Sequence, residues 1–140
     1  MQGYKVSLPT QPTVIAPLGD IQWTVNPHRD IAVSLLKRHI ARVLELEKDG
    51  VTVRFLGMGD YIDYMSPGNR KRQRAAGLHD NALDTADDAA ERLLDSLYTE
   101  VLAPTKGKWL GMLRGHHYHI YESGETSDNR LMKKLEAKHL

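Results

Sequence analysis

The chain has 140 residues, 41% hydrophobic and 26% charged, a balance that excludes a disordered or fibrous polypeptide and predicts one globular domain over residues 1–140. A net charge of +1 gives no general pull toward nucleic acid, and the absence of cysteine excludes a disulfide framework, a thiolate zinc site and a cysteine nucleophile. No apolar run approaches the roughly 20 residues that span a bilayer, and Met1 to Lys5 lacks the form of a secretory leader, so a cytoplasmic chain without a membrane partner is expected.

Only 6% of residues are aromatic, so the core must come from Leu, Ile, Val and Ala, which suits helices packed on a sheet. Tyr4, Val6 and Leu8 alternate with polar residues and predict an edge strand, broken by Pro9 and Pro12. Thr13 to Leu18 is mostly apolar and stops at Gly19-Asp20, as a buried parallel strand does on reaching a loop. Asn26-Pro27 is a helix start, and Ile31, Leu35, Ile40, Val43 and Leu44 carry the helical period to about Asp49-Gly50. Val51 to Leu56 predicts a second strand, which runs into Gly57-Met58-Gly59-Asp60.

Residues 65–77 combine Pro67, Gly68 and Asn69 with Arg70, Lys71, Arg72 and Arg74, the composition of an exposed loop. Leu83, Ala86, Ala90, Leu93, Leu97 and Val101 then form the apolar stripe of a long helix that Pro104 ends. Trp109 to Leu113 is a third short strand leading to Gly115-His116-His117, and Ser127 or Asp128 caps a last helix with Leu131, Met132 and Leu135. The order strand-helix-strand-helix-strand-helix predicts an α/β fold with a parallel sheet, whose strand carboxyl ends share one rim. Asp20, Asp60 and His116-His117 are expected to meet there.

Gly19-Asp20-Ile21-Gln22, Gly59-Asp60-Tyr61-Ile62-Asp63 and Gly115-His116-His117 resemble, in order, the first three motifs of calcineurin-like metallophosphoesterases, and the Gly-His-His-Tyr string is similar to phage-type members. The family motifs read Asp-x-His, Gly-Asp-x-x-Asp and Gly-Asn-His. The resemblance implies the parallel-sheet half of a calcineurin-like α/β sandwich and two divalent ions. Asp20 would bind the first ion, Asp60 would bridge both, and His116 would bind the second. His117 would protonate the leaving oxygen, oriented by Asp63, while Gln22 stands where a first-ion histidine is usual.

Two divalent ions about 3.5–4 Å apart need a shared anion to offset their repulsion, and in return they acidify a water and hold phosphoryl oxygens. An imidazole can then protonate the departing oxygen. Oxygen and imidazole donors favour Mn, Fe, Zn or Ni, and a neutral Gln22 oxygen is a weaker ligand than an imidazole. The family's later Gly-His-x-His motif is not repeated after His117. The expected domain is therefore incomplete, and it should self-associate or take a partner that supplies the rest of the fold.

The leading expectation is metal-dependent hydrolysis of phosphate esters, diesters or nucleic-acid ends, and the alternative is a catalytically silent module that binds a partner or a metal. A third possibility is a nucleic-acid-binding protein worked by Arg70 to Arg74, a run that is otherwise a solvated loop. Arg114 either touches bound phosphate or snorkels from a strand end. Trp23 and Tyr61 line the site or pack beneath it. His117 with His119 could form a metal pair of another kind. His28, His39 and His79 carry no role.

Overall fold

The computed structural model describes residues 5, 7–24, 30–64 and 80–138. Its first strand, β1 (Thr13–Leu18), is parallel to β2 (Thr52–Gly57) in the register Thr13 to Thr52 through Leu18 to Gly57. Strand β3 (Trp109–Met112) lies parallel on the other side of β2, pairing Phe55 with Trp109 and Gly57 with Met112 across an irregularity after Phe55. The sheet order is β1-β2-β3. Among the described residues the fold is thus mixed α/β with a three-stranded parallel sheet and the helices α1 (Asp30–Glu45), α2 (Asp80–Leu97) and α3 (Ser127–Lys134).

Pairing register sorts the strand side chains by face. Ala16, Leu18, Val53, Phe55, Trp109 and Met112 are buried, and they form one core with Ile40 of α1, Leu93, Leu94 and Leu97 of α2, and Leu131 beside Leu135. Phe55 and Trp109 pack with ring centroids 5.5 Å apart, and the Trp109 indole N–H donates to Thr105 Oγ1 at 2.9 Å. On the opposite face Ile15 is 43% exposed. Arg54, Leu56 and Leu110 are half-buried.

Several expected details are corrected. Residues 7–9 carry no strand, and pairing with β2 begins only at the Pro12 carbonyl, which accepts from Thr52 N at 2.8 Å. Tyr4 and Val6, the Asn26-Pro27 helix start, the basic run Arg70 to Arg74, His28 and His79 lie outside the described residues. The α1 stripe is also rotated. Ile31 is 75% and Leu35 53% exposed, while Val33, Leu36, Val43 and Leu44 pack on the core with Ile40. Ile31 and Val33 are two residues apart, about 200° around a helix, so both cannot face inward.

Helix α2 continues as a wider turn over Tyr98–Leu102 and a tighter one over Ala103–Thr105, where Pro104 stops it. This change of pitch buries both Val101 and Leu102. Leu94, which the expected stripe omitted, is fully buried between its helical neighbours Ala90 and Leu97. The cap of α3 is Thr126, whose Oγ1 accepts from Asn129 N at 3.2 Å, so Ser127 and Asp128 are left for other contacts. Urea unfolding should show Leu94→Ala losing about 3 kcal/mol of stability and Leu35→Ala less than about 0.5 kcal/mol.

Candidate metal centre

Parallel pairing does not stop where the strands end. Met58 N donates to Leu18 O at 2.8 Å, Asp20 N to Gly59 O, Gln22 N to Asp60 O and Trp23 N to Tyr61 O, each at 3.0 Å, and Asp63 N to Trp23 O at 2.9 Å. The loops after β1 and β2 therefore run side by side, so the Asp20-Gln22 and Asp60-Asp63 segments are neighbours. Asp20, Gln22 and Asp60 hold φ values of 53°, 46° and 53°. Such left-handed backbone costs a non-glycine residue about 1 kcal/mol or more, and it concentrates at functional sites.

The β3 loop closes on the same point because two glycines let the backbones touch. Gly59 has φ +92°, and a Cβ there would lie 2.9 Å from Gly115 Cα. A Cβ on Gly115 would strike the Asp60 backbone nitrogen and Oδ1. Tyr61, 1% exposed, braces the junction by accepting from Gly59 N at 3.1 Å and donating to Leu113 O at 2.9 Å. Burial drives its phenol pKa upward. Tyr61 thus packs beneath the site, whereas Trp23, 3% exposed and with its indole N–H donating to Ser96 Oγ at 2.8 Å, lines the floor of the cleft beside Asp20.

Into this junction Asp60 presents its carboxylate. Oδ1 accepts from His116 N at 2.6 Å and His117 N at 3.2 Å, and Oδ2 lies 2.8 Å from His116 Nδ1. Partial burial pushes the Asp60 pKa up, but those two N–H donors and the charges of both imidazoles outweigh it, so the pKa falls below the ordinary carboxylate value. His117 Nδ1 lies 3.0 Å from Asp63 Oδ1. One donor atom from each of Asp60, His116 and His117 lies within 4.8 Å of the others.

The sequence-predicted residues thus fall into two groups. Asp60, Asp63, His116 and His117 are brought into direct contact by hydrogen bonds. Asp20 and Gln22 occupy the adjoining loop, where Gln22 Nε2 donates to Asp20 Oδ1 at 2.6 Å, and they stand outside the three-residue cluster. The Arg114 guanidinium lies 4.1 Å above the Tyr118 ring. A cleft of about 250 Å³ opens beside Asp20, walled by Ile21, Trp23, Val33 and Leu36.

Asp128 was read only as a possible helix cap. It is 7% exposed, and its Oδ2 accepts from Gly115 N at 2.9 Å. Burial raises its pKa against that bond and the Ser127 hydroxyl. No local spacing marks it, because its partner belongs to another loop. His119 is likewise buried, with its Nε2 2.6 Å from Asp87 Oδ1.

The donor set fits a divalent cation. Tetrahedral bonds of about 2.1 Å place neighbouring donor atoms about 3.4 Å apart, so Asp60 Oδ2 and His116 Nδ1, hydrogen-bonded at 2.8 Å, would part slightly to take an ion. Carboxylate and imidazole donors without sulfur suit Mn, Fe, Ni or Zn. Compared with models of known protein families, with curated proteins and with solved structures, the chain matches none. The family resemblance therefore rests on the three motifs alone.

The lowered Asp60 pKa has a stability consequence. A depressed carboxylate pKa stabilises the fold above its unfolded value, about pH 4, and the benefit disappears as pH falls through the lower folded value. In the metal-free chain, Asp60→Asn should cost about 1 kcal/mol at pH 7, a cost that shrinks as pH falls below about 4 toward the lowered folded value, with urea midpoints across that range as the measurement.

Proposed function

We propose that the chain is a metal-dependent phosphoesterase of the calcineurin-like type, acting on phosphodiesters or nucleic-acid ends, and that its sheet corresponds to one half of that family's sandwich. The observation that carries this is the Asp60, His116 and His117 cluster, built from two strand tips and flanked by the Asp20-Gln22 loop. Asp60 and His116 would hold the cations, with Asp20 and the Gln22 amide completing one side. Bound there, divalent cations would supply an acidified water and positive charge for the phosphoryl oxygens.

The protein's own groups do the rest. Asp63 accepts from His117 Nδ1, which fixes the ring and leaves Nε2 to give its proton to the departing oxygen. The His117 side chain is 20% exposed, close enough to solvent to recover that proton. Arg114 is exposed beside the histidine loop and adds positive charge for the phosphate. The cleft beside Asp20 would receive the organic group of the ester, since its apolar walls adjoin the polar rim.

A second reading, a silent module that binds a partner, is favoured by two features. Gln22 already occupies one oxygen of Asp20, and the sheet face bearing Ile15 is partly open among the described residues. Metal titration combined with hydrolysis of bis(4-nitrophenyl) phosphate separates the two. A phosphoesterase should take up Mn or Zn and turn over the diester, and Asp60→Asn should lower turnover at least about 100-fold with the fold intact. Gly115→Ala should do the same by pushing the histidine loop off Asp60. Unchanged turnover in Asp60→Asn would discard the phosphoesterase, and an inert wild type would leave the silent module.

A further inference from the structure

Two residues past the His116-His117 pair, His119 is 5% exposed, and its surroundings are built rather than incidental. Its Nε2 lies 2.6 Å from Asp87 Oδ1 on α2, and the other Asp87 oxygen accepts from Glu122 N at 2.9 Å. One carboxylate therefore ties both the middle and the later part of the loop between β3 and α3 to a helix. The backbone of His119 is fixed as well, its N donating to Ser127 Oγ at 3.1 Å and its O accepting from Ser127 N at 3.0 Å. Its ring stands edge-on to two tyrosines, with centroids 5.2 Å from Tyr64 and 4.8 Å from Tyr121.

Tyr64 gives this cluster its bearing on the site. It follows Asp63, the residue that holds His117 Nδ1. Across the gap between the two loops, contacts therefore occur in sequence: Asp60 with the His116 and His117 backbone, Asp63 with the His117 ring, and Tyr64 with the His119 ring. The last rung is anchored to α2 through Asp87, whereas His117 and Asp63 are partly exposed, with side-chain exposures of 20% and 43%. A partly exposed hydrogen bond is helped by such support to keep one geometry, since partners behind the reacting residues fix their tautomer and orientation.

We propose that Asp87 and His119 are positioning residues: as a clamp they hold Tyr64 and the histidine loop so that Asp63 keeps accepting from His117 Nδ1–H, both in the neutral ring and in the imidazolium that gives up its Nε2 proton, with Nε2 turned to the reacting side. The clamp rests on the phosphoesterase assignment for its purpose, but its structural effect can be read without turnover.

Long-range ¹H–¹⁵N correlations of the His117 ring report its tautomer, and steady-state hydrolysis of bis(4-nitrophenyl) phosphate reports rate. Alanine is favourable in a helix, and Asp87 is near the surface, so Asp87→Ala should fold. It should convert His117 from one tautomer to a mixture and lower kcat about 10-fold with KM unchanged. Asp87→Asn, which still accepts one bond, should recover part of both. His119→Phe keeps a ring against Tyr64 but has no bond to Asp87, and should behave like Asp87→Ala. The clamp is refuted if His117 keeps its tautomer and rate in both Asp87→Ala and His119→Phe, or if the loss only tracks the unfolded fraction. Should the wild type prove inert on the diester, the phosphoesterase assignment fails and the tautomer alone decides the clamp.

Discussion

The carboxylate of Asp60 closes the junction between two strand tips that sheet pairing and the Tyr61 bond to Leu113 O already bring side by side. Its Oδ1 receives two backbone N–H groups from the loop after β3, and its backbone carbonyl receives Gln22 N from the loop after β1. Hydrogen bonds to an ionised acceptor contribute about 1.5–3 kcal/mol each, enough to offset the strain of holding Asp20, Gln22 and Asp60 in left-handed backbone. The same bonds demand that no side chain project from residue 115, where a Cβ would meet Asp60 itself. Shape and charge at this point are therefore one constraint.

That junction is affordable only because the sheet behind it is finished on one side and at one edge. β3 does not end in open solvent, since Met112 N donates to Lys138 O at 2.8 Å and Gly107 N to Leu135 O at 3.0 Å, so the segment after α3 covers its edge. β1 carries Pro17, a residue suited to an edge strand because it has no N–H to leave unpaired. The core against Val53 and Phe55 is tight, both being fully buried, whereas the face of Ile15 is not. Parallel sheets are ordinarily covered on both faces, so this face is where the fold has least of its own apolar packing.

How much of this was written in the sequence depends on the range of the interaction concerned. Each strand was legible within a residue or two, because apolar runs ending in glycine and an acid are local signals, and parallel order then implied a common rim. Asp60 with His116 and His117 follows from that geometry, whereas Asp63 beside His117 was legible only through the motif resemblance. The inward face of α1 was not legible: Ile31 and Leu35, four apart, and Val33 and Leu36, three apart, both satisfy the helical period, and only packing on the sheet chooses between them. Thr126 displaced the expected caps because Ser127 and Asp128 are held by His119 and Gly115, partners that no spacing rule brings together. The Asp87 to His119 bond, spanning two elements, is hidden for the same reason.

One division of labour within Asp60 limits what the site can do. Oδ1 is committed to the histidine-loop backbone, so only Oδ2, already 2.8 Å from His116 Nδ1, faces the position a cation would take. On the proposed reading, a cation there would displace the proton shared by these two groups and turn the His116 ring off Asp60 Oδ2 toward the ion. The Asp20 side is prepared differently, with its carboxylate engaged by the Gln22 amide, and binding there must first turn that amide from donor to acceptor. Both carboxylates of the rim are thus engaged by a neighbouring side chain, Asp60 by His116 and Asp20 by Gln22, and each of those contacts would have to open before the proposed cations could bind.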